Sequence, residues 1–219
     1  MNVSYRLVIV AAVFVTCLIT ANIIAVKVVT FGPFTLPAAI VIFPLSYIFG
    51  DILTEVYGYR QARRVIWLGF LCNLIFVIFA WVGQQLPPAP LWGGQAAYES
   101  ILGYTPRLLI ASFAGYLAGE FANSFVLAKM KMLTRGRWLW SRTIGSTVVG
   151  QGLDSVIFLT GAYFGEPFFV PVMILYHWLA KTVIEAAATP FTYVVVNYLK
   201  EREAVDTYDY GTDFSPFRF

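Results

Sequence analysis

Long apolar runs alternate with short polar or turn-forming breaks along the whole chain. The runs cover 7–29, 36–57, 65–86, 107–128, 143–164 and 171–198, each near the ~20 residues that a helix needs to cross a hydrocarbon core about 30 Å thick. The breaks carry residues that end helices: Gly32-Pro33, Gly58-Tyr59-Arg60, Pro87-Pro88-Ala89-Pro90 with Gly93-Gly94, Arg135-Gly136-Arg137 and Gly165-Glu166-Pro167. The pattern predicts an all-α polytopic membrane protein with six transmembrane helices. It forms a single domain over 1–219 that ends in a polar tail at 199–219.

Composition supports lipid as the main solvent. Of 219 residues, 59% are apolar and 12% charged, against roughly a quarter charged in a soluble domain. Six spans leave no room for a separate catalytic domain. The first run follows a start carrying only Arg6 and has no clear small-residue cleavage site, so it reads as an uncleaved span rather than a signal peptide. Cys17 and Cys72 lie inside apolar runs without the paired spacing of a metal or redox motif and read as packing residues.

Charge sets direction, because Lys and Arg gather on the cytoplasmic side. Arg6, Arg60, Arg63, Arg64, Lys129, Lys131, Arg135, Arg137, Arg142, Lys200, Arg202 and Arg218 all fall on one side, twelve of the fifteen basic residues. The connections at 30–35, 87–106 and 165–170 contain none. Both termini are therefore expected in the cytoplasm, in a bacterial inner membrane. A nucleic-acid patch is the other reading of the 129–142 cluster, but topology accounts for it and no nucleic-acid partner is expected. The tail is acidic, with Glu201, Glu203, Asp206, Asp209 and Asp213, and its aromatic residues Tyr208, Tyr210, Phe214, Phe217 and Phe219 predict that it docks on the cytoplasmic face.

Charged groups at membrane depth cost about 2.5–3.5 kcal/mol on insertion scales, which makes each a functional hypothesis. Asp51 and Glu55 lie in the second span, Glu120 in the fourth, Asp154 in the fifth, Lys181 and Glu185 in the sixth. Asn22, Asn73, Asn123, Gln151 and His177 add uncharged polar groups, and Lys27 stands near the outer end of the first span. Helical spacing draws them into stripes: Asp51 with Glu55; Glu120 with Asn123 and Ser124; Gln151 with Asp154 and Ser155; His177, Lys181 and Glu185. Four stripes turned from lipid predict a shared polar interior, as a substrate pathway requires. Any single Asn, Gln or Ser can instead serve helix packing. Glu55 stands close enough to Tyr57-Gly58 to reach cytoplasmic water or Arg60, and His177 is either a structural histidine or a proton relay.

Pro44 and Pro190 are expected to kink the second and sixth helices beside acidic stripes, which suits a hinge. ANIIAVK (21–27) and ANSFVLAK (122–129) form a faint internal repeat, each closing the first helix of three, as in a pair of inverted three-helix halves. No phosphate loop, nucleophile elbow or metal-ligand spacing is present, so neither a cofactor nor a metal is expected and the chain does not read as an enzyme.

Five blocks carry a family resemblance: GDILTEVYGYRQAR (50–63), EFANSFVLAKMK (120–131), RTIGSTVVGQGLDSVIFLT (142–160), KTVIEAAATPFTYVVVNYLK (181–200) and DTYDYGTDFSPF (206–217). Together they resemble the queuosine precursor transporters, which belong to the vitamin-uptake-like membrane proteins. The resemblance covers nearly the whole chain and includes Asp51, Glu55, Glu120, Asn123, Gln151, Asp154, Lys181 and Glu185. It implies uptake of 7-deazaguanine bases, such as 7-cyano-7-deazaguanine, 7-aminomethyl-7-deazaguanine or queuine, for the queuosine modification of transfer RNA.

The chemistry is compatible with that cargo. One ionised carboxylate accepts both the ring N–H and the exocyclic amine of a guanine-like edge, and Asp154 or Glu185 is the expected partner. Gln151 and Asn123 can read the carbonyl beside it; Glu120, Asp51, Lys181 and Asn22 complete the candidate substrate site. Lys181 is expected to balance a carboxylate, with Glu185 at i+4. Tyr47, Phe158 and Trp178 are candidates for stacking on the base, and Glu55 and His177 for proton coupling. Two other readings compete: a substrate-binding membrane subunit of an ATPase-driven vitamin-type transporter, with Ala21 and Ala25 as a helix-docking face, and an intramembrane enzyme using paired carboxylates. Both a single copy and a homo-oligomer fit.

Overall fold

A computed structural model describes residues 4–31, 34–103, 106–167 and 169–218. The Gly32-Pro33 break and Phe219 lie outside them. The first apolar run folds as α1, Tyr5–Ile24. Ser4 caps it, its hydroxyl oxygen accepting from the Arg6 N–H at 3.1 Å. A short antiparallel ribbon follows, β1 (Val28–Phe31) with β2 (Phe34–Pro37). A 3₁₀ turn, Ala38–Val41, leads into α2, Phe43–Ile52, which continues as a π-helical turn over Leu53–Tyr57. The expected second span is thus a composite. Pro44 sits in the first turn of α2, where it has no helical N–H to lose, so it starts the helix instead of kinking it.

The remaining helices are α3 (Tyr59–Gln85), α4 (Gln95–Leu102), α5 (Pro106–Leu133), α6 (Leu139–Tyr163) and α7 (Val172–Glu203). α4 falls in what reads from the sequence as a loop. It is held to α3 by the Tyr98 hydroxyl donating to the Ala80 carbonyl at 3.0 Å and by Gln95 Nε2 donating to Gln84 O at 3.2 Å. α7 continues through Pro190 as one helix. Four segments are long and apolar enough to cross a membrane: Tyr5–Ile24, Ala38–Tyr57, Tyr59–Gln85 and Val172–Glu203. α5 and α6, at 28 and 25 residues, match them in length.

The apolar core joins Phe14 and Leu18 of α1, Ile48 and Ile52 of α2, and Ala62 and Ile66 of α3. α5 and α6 approach so closely that a Cβ on Gly150 would meet Gly119 O at 2.9 Å and Asn123 Cβ at 2.7 Å. Small residues permit this contact, and it presents the polar faces of both helices to the interior.

One end of the bundle collects the start of α1, the end of the π turn, the starts of α3 and α6 and the ends of α5 and α7. Ser4 donates to Glu203, joining the first helix to the last. The tail closes over this end, as its aromatic content predicts. Arg63 Nη1 donates to the carbonyls of Asp213 (3.0 Å) and Ser215 (2.6 Å), Trp67 Nε1 donates to Pro216 O (2.8 Å), and the Lys129 ammonium stands 4.1 Å over the Phe214 ring. Gly58, at φ 82°, turns the chain from the π segment into α3 and has no side chain with which to cap it. The tail supplies that cap: both carboxylate oxygens of Asp209 accept from the Tyr59 N–H at 3.1 and 3.0 Å. Asp209→Ala is expected to cost about 1 kcal/mol, read as a lower unfolding midpoint in detergent together with faster proteolysis of 205–218.

Candidate functional site

At the opposite half of the bundle a cavity of about 230 Å³ opens among α1, the 3₁₀ turn, α3, α5, α6 and α7. Its position follows from which half of each helix lines it: Leu18 to Val26 late in α1 and just beyond, Leu108 to Tyr116 early in α5, Asp154 to Tyr163 late in α6, His177 and Lys181 early in α7. Most of the wall is apolar. The polar groups are few and convergent, as in small-molecule pockets.

Asp154 and Lys181 are the charged pair on this wall, in direct contact across α6 and α7 and both buried. The Lys181 ammonium also stands 3.9 Å over the Phe43 ring, a cation–π contact. Phe43 and Phe158 both line the cavity. Asn22 Nδ2 donates to Asn73 Oδ1 at 2.9 Å, joining α1 to α3 on the wall. Ser155 and His177 Nδ1 lie 3.0 Å apart. Of the expected residues, the cavity therefore gathers Asp154, Lys181, Asn22, His177 and Phe158.

Tyr47 and Trp178 are placed differently. Tyr47 is fully buried behind the cavity, packed against Gly119, because its position on α2 turns inward with Asp51. Trp178 lies along the outer side of α6, its Nε1 donating to Val148 O at 2.9 Å. Neither ring lines the cavity. Phe43 does, and sequence reasoning passed it over: it precedes the α2 stripe by one turn, at Tyr47 minus four.

Deeper in the bundle a second set is buried. Asn123 Nδ2 donates to Asp51 Oδ1 at 2.7 Å. Glu185 accepts from Thr147 Oγ1 at 2.5 Å and from Gln151 Nε2 at 3.3 Å, so the partner of Lys181 is Asp154 on α6 and not its own-helix neighbour. Thr147 was legible, since it extends the Gln151–Asp154 stripe by one turn. Glu120 lies in the same layer, fully buried.

Glu55 belongs to neither set. It sits in the π turn at the tail-covered end, with no exposed surface. Arg142 Nε and Nη2 donate to its two oxygens at 2.8 Å each, Lys200 Nζ donates to Oε1 at 2.6 Å, and Lys131 Nζ lies 3.6 Å away. Lys131 and Lys200 also bind Asp206 of the tail, at 2.5 and 2.9 Å. The carboxylate is thus locked by cations rather than turned to water or Arg60. Partial burial pushes the Asp206 carboxyl up, but hydrogen bonds from Lys131 and Lys200 and their charges outweigh it and hold the group below the usual carboxylate range. Arg142, Lys131 and Lys200 read from the sequence only as topology signals. The clue to their second role is that a carboxylate inside an apolar block requires a counter-cation.

Ala21 and Ala25 both line the cavity, and Ala21 is buried.

Comparison with known proteins matches this chain over residues 37–195 to the family described as "Putative vitamin uptake transporter". A Bacillus subtilis protein named "Probable queuosine precursor transporter" is 28% identical over 84% of this chain and 82% of its own length. An Escherichia coli "Queuosine precursor transporter" is 23% identical over 65% of this chain and 61% of its own. A Haemophilus influenzae "Probable queuosine precursor transporter" is 24% identical over 62% and 54%. No solved structure matches. With the family match spanning nearly three quarters of its length, the chain belongs to the vitamin uptake transporter family of membrane proteins.

Proposed function

We propose that this protein is a multi-pass carrier of the bacterial inner membrane that takes up 7-deazaguanine bases as precursors of queuosine. The observation that carries the reading is the cavity that holds a buried Asp154–Lys181 pair and two phenyl rings, in a chain whose relatives are named queuosine precursor transporters. Its volume, a little below the ~300–1,000 Å³ of drug-sized sites, suits one small flat base. Phe43 and Phe158 offer faces for stacking. Asp154 accepts the ring N–H and the exocyclic amine of the base once Lys181 yields, and Lys181 then has Glu185 one turn away on its own helix.

Six crossings with both termini in the cytoplasm agree with the helix ends. α1, α2 with its π turn, α3, α5, α6 and α7 alternate in direction, and the basic residues cluster at the end where Ser4 meets Glu203. The cavity is then outward-facing, and the Glu55 cluster with the docked tail closes the cytoplasmic side. α1–α3 and α5–α7 form the two three-helix halves of an inverted repeat.

The test is uptake in bacteria that cannot make queuosine precursors, expressing this chain and fed 7-cyano-7-deazaguanine, 7-aminomethyl-7-deazaguanine or queuine singly. Queuosine is expected to reappear in transfer RNA with at least one base. Failure with every base, by a chain shown to be inserted, overturns the reading.

A further inference from the structure

Between the cavity and the Glu55 cluster lies the buried polar layer, of which the proposed substrate site uses Glu185 alone. Glu120 of α5 is fully buried, and neither of its oxygens receives a hydrogen bond from any described residue. The Tyr47 hydroxyl, Gln151 Oε1 and Asn123 Oδ1, equally buried, also have no hydrogen-bond partner there. Glu120 fits because residue 50 is glycine: a Cβ on Gly50 would stand 3.0 Å from Glu120 Oε2, with Phe14 of α1 closing the side at 3.6 Å.

The titratable groups facing Glu120 are Tyr47 and Asp51 from α2, Tyr116 on its own helix, Asp154 from α6, and Lys181 and Glu185 from α7. Lys181 is the cation among them, and it is engaged by Asp154. Asp51 and Glu185 have hydrogen-bond donors; Glu120 has none. A carboxylate in this setting needs either a bound cation or a proton. Among the described residues no group of three or more His, Cys, Asp or Glu side chains is placed to hold a metal ion. A proton meets the need, since it removes the charge and turns an orphaned acceptor into a donor for the buried amide oxygens of the same layer.

We propose that Glu120 is the coupling site of the carrier, binding one proton for each base taken up. On the cavity side a hydronium ion gives its proton to the carboxylate, its own O–H bond breaking as that of Glu120 forms; on the tail-covered side the Glu120 O–H breaks and the proton passes to a water, and no other bond changes. This assignment rests on the transport reading above, and it moves coupling from Glu55 and His177 to Glu120. Glu55 is committed to three cations, and His177 lies on the cavity wall beside Ser155.

The experiment uses purified full-length protein in liposomes with labelled 7-aminomethyl-7-deazaguanine, or whichever of the three bases the cellular test selects. Wild type is expected to accumulate the base under an inward proton gradient and to exchange it with no gradient. Glu120→Gln, which mimics the protonated side chain, is expected to keep exchange and lose gradient-driven accumulation. Retained accumulation by E120Q overturns the assignment, as does accumulation by wild type that follows a sodium gradient or ignores every gradient. Loss of exchange by a monodisperse E120Q also overturns it, because a pure proton carrier is dispensable for exchange. Should E120Q fail to fold, Glu120→Asp decides: a shifted pH profile of uptake supports the site, and an unchanged profile overturns it. If wild type exchanges no base at all, the transport reading itself fails, which is a different result from any of these.

Discussion

Asp154→Asn is expected to abolish uptake while the chain still inserts. The substitution keeps the shape of the side chain but removes the charge that holds Lys181 and that, in the proposed reading, receives the two N–H groups of the base. Removing one partner of a buried, hydrogen-bonded charge pair costs about 2–5 kcal/mol in binding, and at about 1.4 kcal/mol per factor of ten this is about thirtyfold or more in affinity. Part of that loss belongs to the protein, since Lys181 remains buried. The double substitution Asp154→Leu with Lys181→Met separates the two contributions. Replacing both charges by apolar groups of similar size is often neutral for stability, so the double variant is expected to unfold near the wild-type temperature and still transport nothing. Uptake by either variant at the wild-type rate removes the pair from the substrate site.

Arg142→Ala is expected to give the larger loss of stability, about 3–5 kcal/mol, measured as a fall in the unfolding midpoint in detergent. Arg142 is almost wholly buried and donates to both oxygens of Glu55 and to the Arg137 carbonyl. Without it Glu55 keeps Lys200 and Lys131, so the variant should remain foldable while the joint between the π turn, α6 and α7 loosens. Glu55→Gln leaves three cations facing a neutral amide and should be destabilising for the opposite reason. Acid acts on the same cluster late. The folded Asp206 carboxyl lies below its unfolded value, so its contribution is present above about pH 4 and lost only as pH falls through the lowered folded value. Mild acidification therefore leaves the Asp206 contacts with Lys131 and Lys200 in place.

Periodicity and charge are local properties, and what they predict is what the chain shows at low resolution: long helices, polar stripes turned inward, a tail with enough aromatic surface to dock. Hydrocarbon demands about 20 apolar residues per crossing whatever the neighbours are, and a carboxylate in such a run is conspicuous for the same reason. Boundaries and partners depend on contacts between segments distant in the sequence. Pro44 starts a helix because a ribbon and a 3₁₀ turn precede it. Glu55 and Asp51 stand one turn apart on the same stripe, yet the π turn sends Glu55 to Arg142, 87 residues away, while Asp51 meets Asn123, 72 residues away. Lys181 finds Asp154 across two helices although Glu185 is its neighbour in its own, because only the packing of α6 on α7 decides which carboxylate is within reach. Phe43, one of many phenylalanines in an aromatic-rich chain, becomes a cavity wall only when Lys181 lies over its ring. Residue types and spacing named the groups that lipid cannot tolerate; the distances that pair them, and the lack of a hydrogen-bond donor for Glu120 among the described residues, arise from how the helices close on one another.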